Sequence, residues 1–227
     1  VSVKDGIELG GERLRAPGTA GACALALAFE LGVALLERAQ GALGASDRAL
    51  SGGAFGVALP LLCYFLVGRA CGARSLREAV LPLARHGLDR RPLVLGLAVA
   101  PAALAAAFAA FSGVAVVLLT RGLHDASWLR DAMTSLWIGA VSGCAYVAMF
   151  VAASAFGRHG RGRVWLLAAD FLLGAGSSLL ALPWPKGHVR NLLGGAPVLE
   201  MSQFAALIVL FGMSFAFMSI AALRCER

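Results

Sequence analysis

The stretch Gly72–Leu93, GARSLREAVLPLARHGLDRRPL, separates two long apolar runs and carries the densest positive charge in the chain. Within it, residues 75–86 read as a short amphipathic helix. Leu76, Val80 and Leu83, with Ala79 beside them, form an apolar face, while Arg77, Glu78 and Arg85 lie off it. Ser75 followed three residues later by Glu78 is the capping-box pattern, in which each side chain satisfies the other residue's backbone N–H. Pro82 has no N–H to give the helix and is expected to end or kink it early. Such a basic helix between membrane spans has two readings. It rests on the cytoplasmic surface, held by anionic headgroups, or it docks a cytoplasmic partner.

The flanking sequence sets the class. Of 227 residues 59% are hydrophobic and 15% charged, and the mean hydropathy is +0.78. Soluble domains are about half apolar and about a quarter charged, so this is the composition of a helical membrane protein. The alternating ten-residue segments of a transmembrane β-barrel are missing. The net charge of +7 falls in short loops between apolar runs, where it reports orientation in the membrane and not affinity for nucleic acid. Five cysteines (Cys23, Cys63, Cys71, Cys144, Cys225) include no C-x-x-C pair, which argues against a disulfide framework or a metal site. The first apolar run has no A-x-A cleavage signal and reads as a retained span.

Hydropathy and length place six spans in a single transmembrane domain, at about 19–36, 52–69, 93–120, 132–156, 164–182 and 204–223. Residues 1–18 form a polar lead-in, with Glu8–Arg15 as an interfacial helix stopped by Pro17. With the N-terminus inside, Lys and Arg number fourteen in the inner segments and six in the outer loops. The positive-inside rule then puts both termini and the Gly72–Leu93 stretch in the cytoplasm. The last outer loop, LPWPKGHVRNLLGG, is too apolar for an ordinary exposed loop. It reads as a short interfacial or re-entrant helix over His188–Leu193 ended by Gly194 and Gly195, or else as a packed lid, with Trp184 as an interfacial anchor.

Two ionisable residues fall inside the spans, Glu30 in the first and Asp170 in the fifth. A charge at the bilayer centre costs several kcal/mol, so each marks a translocation path or a proton-sensitive element, or is an acid satisfied by nearby hydroxyls and backbone. Gly52-x-x-x-Gly56 and Gly139-x-x-x-Gly143 would let helices approach closely. Enzymatic chemistry finds no support. All four histidines (His86, His124, His159, His188) fall in loops, no H-E-x-x-H is present, and neither lysine (Lys4, Lys186) sits in a P-loop.

The order of elements resembles the permease subunit of type 2 ABC exporters, a superfamily that includes the haem-exporter B type permeases. The residues that carry it are AFGVALPLLCYFLVGRA (Ala54–Ala70), SLREAVLPLARHGLDRRPLVLG (Ser75–Gly96) and LPWPKGHVRNLLGG (Leu182–Gly195). The resemblance implies an exporter half that works with a second permease copy or paralogue in a bacterial plasma membrane. It implies that 75–86 is the coupling helix, with Ser75, Leu76, Arg77, Glu78 and Leu81 facing a cytoplasmic P-loop ATPase subunit. ATP and magnesium would sit on that partner, with no cofactor in this chain. Glu8–Arg15 would be the interface helix, and the loop before the last span an outer helical hairpin. Glu30 and Asp170 depart from the pattern of many members, and the short outer loops leave no room for a large extracellular domain. Two other readings stand beside this one. The chain is a non-transport membrane anchor or scaffold subunit, or a proton-coupled secondary transporter using Glu30 and Asp170. No internal similarity links 1–121 with 122–227.

Overall fold

The computed structural model describes residues 2–41, 44–122 and 125–226, so His124 and Arg227 lie outside the described residues. Among those described, every regular element is helical. Five helices are long and apolar enough to cross a membrane. They are α2 (Pro17–Ala39), the continuous helix Ala45–Ala70, α6 (Arg90–Arg121), α7 (Trp128–Ser154) and α10 (Gln203–Glu226). The helix Ala45–Ala70 is itself composite. It opens with α3 (Ala45–Arg48), widens into a π-helical stretch at Ala49–Ala58 and closes with α4 (Leu59–Ala70).

The expected span at 164–182 takes another form. Its helix, α8, covers Gly162–Leu173, 12 residues. That is roughly 18 Å at about 1.5 Å per residue, short of the ~30 Å hydrocarbon core. The sequence Gly174-Ala175-Gly176-Ser177-Ser178 follows, and these residues favour turns over helix. A 3-10 turn at Leu179–Ala181 and a short helix, α9 (Pro185–Leu192), complete the return to α10. Helix α9 overlaps the short helix expected at His188–Leu193 but starts at Pro185, and it packs into the bundle, with Gly187, His188, Val189, Asn191 and Leu192 buried against α7, α8 and α10. Trp184 packs against the core, and its indole N–H has no hydrogen-bond partner among the described residues. The placing of all four histidines in loops is therefore corrected at His188. This side chain is fully buried on α9 and donates from Nε2 to the Leu182 carbonyl at 2.8 Å.

The lead-in also folds further than expected. Helix α1 covers Ser2–Leu14 and packs along α6, and Pro17 opens α2 as well as closing α1. The contact is backbone on backbone: a methyl on Gly96 would sit 2.1 Å from the Val3 carbonyl oxygen. Helices α6 and α7 share the most extensive contact among the described residues. A methyl on Gly139 would lie 2.5 Å from the Ala109 oxygen, and one on Gly143 2.7 Å from the Ala105 carbonyl carbon. The Gly52–Gly56 pair behaves differently. Nothing lies within 4 Å of Gly52, and the glycine that meets a neighbour is Gly53, against Val33 on α2.

Polar ties gather the loops at two opposite ends. At one, Arg13 Nη1 donates to the Ala70 carbonyl at 2.7 Å, Arg90 donates to the Cys225 carbonyl at 3.2 Å, and Arg91 pairs with Glu226. This joins α1, the end of α4, the start of α6 and the end of α10. At the other, Arg38 donates to the Leu119 carbonyl at 2.9 Å, and Arg121 meets Ser46 Oγ and Asp131 at 3.1 Å each. Between the ends the core is closed by Phe55, Tyr146 and Phe150, all fully buried. The outer faces of α2 and α10 stay apolar and open, with Leu25 74% and Phe215 78% exposed, as an integral membrane protein requires.

Candidate functional site

Helix α5 (Leu76–Ala84) forms where the amphipathic pattern and cap place it. Ser75 Oγ accepts from the Glu78 N–H at 3.4 Å, and Glu78 Oε2 accepts from the Ser75 N–H at 3.0 Å, completing the capping box. The Ser75 backbone N–H, and then its hydroxyl, hold the Glu78 carboxyl below its ordinary pKa of 4.5. A folded pKa that is depressed means the charge supports the cap above the unfolded value. That support is lost as pH falls through the folded pKa. Pro82 does not end the helix early. The helix continues to Ala84, and the Arg85, His86 and Gly87 N–H groups close it on Leu81, Leu83 and Ala84. Pro82 itself is exposed, so the carbonyl its ring leaves free can meet water.

The five residues assigned to partner docking separate into three environments. Leu76 is a correction: it is fully buried with Ala79 and Val80, and anchors α5 to α6 and α10. Its place on the apolar face decides this, because burying that face fixes the helix to the bundle. Ser75 and Arg77 border a small recess shared with Gly157 and Arg224. Glu78 and Leu81 line an open groove of about 390 Å³ with Arg74, Pro82, Arg85 and His159. His159 reaches this groove from the turn between α7 and α8, where its φ of 56° is left-handed. The groove thus mixes one acid, two arginines, a histidine and an apolar floor, at the end of the bundle where α10 terminates.

The two acids lie apart and differ in kind. Asp170 is fully buried near the end of α8. Its Oδ2 accepts from the Tyr146 hydroxyl at 3.2 Å and its Oδ1 from the Lys186 backbone N–H at 3.3 Å. Lys186 is the second residue of α9, so Asp170 caps that helix across the fold, where the N-terminal dipole favours an anion. The Lys186 ammonium stands over the Phe171 ring, 4.4 Å from its centroid. Glu30 has no such partners. It is 1% exposed on α2, the Ser112 hydroxyl lies beside it, and no N–H donor or cationic side chain meets its carboxyl oxygens among the described residues.

The sequence reading missed Tyr146. Its signal was a phenol alone in the apolar run of α7, which needs a partner when buried. No cluster of three or more metal-binding side chains occurs among the described residues. No family model, curated protein or solved structure matches this chain.

Proposed function

We propose that this chain is the permease half of an ATP-driven type 2 exporter, moving a hydrophobic or amphipathic substrate by alternating access. The observation that carries the reading is α5: a capped helix anchored by Leu76, Ala79 and Val80, with an open polar groove on its other side. A helix fixed to α6 and α10 in this way passes a push on its outer side to the spans. In this reading α5, both termini and the basic loops face a bacterial cytoplasm. Helices α8 and α9 together make the fifth of six crossings, and two copies or paralogues pair. ATP and magnesium stay on a separate P-loop subunit, whose ATP-bound state must bind one permease conformation better than the other to drive the cycle.

The test is co-purification in mild detergent, with ATPase assay of what is retained. A P-loop ATPase is expected at one copy per permease. Leu81→Arg should reduce its retention at least tenfold, as expected for a groove contact. Glu78→Gln tests charge alone, because glutamine at this position keeps the capping box. A stable complex free of ATPase would contradict the reading.

The proton-coupled carrier is favoured by one feature, the buried Glu30 carboxyl, which has the Ser112 hydroxyl beside it but no cation or N–H donor among the described residues. Asp170 already serves as a helix cap, which weakens a relay built on both acids. Glu30→Leu separates the readings. As an exporter the protein should gain stability, about 1–4 kcal/mol in thermal or denaturant unfolding, and keep transport, since a costly buried polar group becomes apolar. A carrier that needs this proton site would lose transport.

A further inference from the structure

At the end of the bundle that holds α1, a second pocket of about 540 Å³ is lined by Arg13, Tyr64, Phe65, Gly68, Arg69 and Arg163 among others. Three guanidinium groups share it, and no lining residue is acidic. None of the three pairs with a carboxylate among the described residues. Arg163 is the telling one. It is 6% exposed, its Nη1 donates to Ser154 Oγ at 3.4 Å, and the Cys71 thiol lies beside it. That hydroxyl is itself committed to the Phe150 carbonyl at 2.7 Å. Arg13 spends two N–H groups on the Ala70 and Ala79 carbonyls, which orient it without neutralising it. A buried guanidinium without an anion is costly, and three converging cations call for a bound one.

Glycine makes room for that anion. A methyl on Gly68 would lie 3.9 Å from Arg163 Cζ and one on Gly72 3.7 Å from Arg13 Cζ. The two guanidinium groups therefore flank the end of α4 where it carries no side chain. Phe65 on the pocket wall also belongs to a separate apolar groove of about 410 Å³ between α2 and α4, with Ala22, Ala26, Phe29, Val57 and Leu61. From Phe65 back to Val57 this groove follows the helix for about 12 Å at about 1.5 Å per residue. A cationic pocket thus adjoins an apolar channel directed toward the middle of the span.

We propose that pocket and groove together bind one anionic glycerophospholipid of the adjacent leaflet. Its phosphate rests on Arg13, Arg69 and Arg163 and one acyl chain lies between α2 and α4. Basic pockets between spans on the cytoplasmic side hold lipid headgroups by this chemistry, and arginine suits phosphate because its planar donors engage two oxygens at once. The proposal needs the chain to sit in a membrane and is independent of the transport reading.

The test is native mass spectrometry of the whole protein in mild detergent, titrated with phosphatidylglycerol, with phosphatidylcholine of the same chains, and with inorganic phosphate. One phosphatidylglycerol should be retained at a concentration at least tenfold below that needed for phosphatidylcholine. Arg69→Gln, at an exposed position that leaves packing alone, should reduce this preference severalfold. Gly68→Leu fills the pocket without changing charge and should abolish the bound lipid. Ala26→Phe obstructs the groove and should weaken long-chain phosphatidylglycerol more than a short-chain form. Equal retention of the two lipids, or a preference untouched by both Arg69→Gln and Ala26→Phe, would overturn the proposal. Displacement of the lipid by equimolar inorganic phosphate would assign the pocket to a free phosphate and overturn the lipid source.

Discussion

Replacing both Gly139 and Gly143 by valine should leave no monodisperse protein in detergent, whereas Gly52→Val should be recovered at the parent's yield. The first two glycines face the backbone of α6, where the atoms that a new side chain would strike are the Ala109 oxygen and the Ala105 carbonyl. Overpacking a well-fitted contact costs about 1–3 kcal/mol per site. Here the obstacle is backbone, so no rotamer change relieves it. Two such sites one helical turn apart push α6 and α7 away from each other, against a net stability of only about 5–15 kcal/mol. Gly52 has nothing within 4 Å and no such obstacle. Size-exclusion profiles of the variants check the contrast. Normal folding of the double variant would mean that α6 and α7 do not meet along this seam.

Asp170→Ala is expected to be the most damaging polar substitution. It strips the acceptor from the Tyr146 hydroxyl, inside the protein, and from the part-buried first free N–H of α9. Leaving a buried donor unsatisfied costs about 1–3 kcal/mol, so the pair amounts to roughly 2–6 kcal/mol. Asp170→Asn keeps an acceptor oxygen and should lose less. Tyr146→Phe removes only one donor and should cost about 1 kcal/mol. Because Tyr146→Phe and Asp170→Ala break the same bond, the double variant should be less destabilised than the sum of the two. Thermal unfolding gives these differences, and hydrogen exchange over Pro185–Leu192 should rise in Asp170→Ala before the rest of the bundle opens. Unchanged exchange there would show that Asp170 does not hold α9.

How far the chain could be read without its structure depends on how local each determinant was. The apolar runs and the Ser75–Glu78 cap are local, and five helices of crossing length and α5 appear at or near their expected positions. The Gly139–Gly143 seam was legible because spacing by four stacks residues in an ordinary α-helix. The Gly52–Gly56 pair was not, since spacing alone does not say which face of a helix meets a neighbour, and here Gly53 is the glycine that meets Val33. The stretch 164–182 is apolar enough for a span, but Gly174, Gly176, Ser177 and Ser178 end its helix at Leu173. Hydropathy does not weigh such breakers.

The site was readable to the same degree. Periodicity put Leu76 on the buried face, and the structure keeps it there, which removes it from the docking set. The cap that Asp170 supplies to α9, and the meeting of Arg13 with Arg163, join residues far apart in sequence. Spacing carries no trace of such contacts.

The most direct test of the docking role of α5 is site-specific photocrosslinking in cells, with a photoreactive side chain at Leu81 or Arg85 and a control at Arg130. Leu81 and Arg85 line the groove, while Arg130 lies among the residues at the opposite end. A covalent product with a P-loop ATPase is expected from positions 81 and 85 and none from position 130. No ATPase product from either groove position, in cells where the protein accumulates normally, would contradict the docking role.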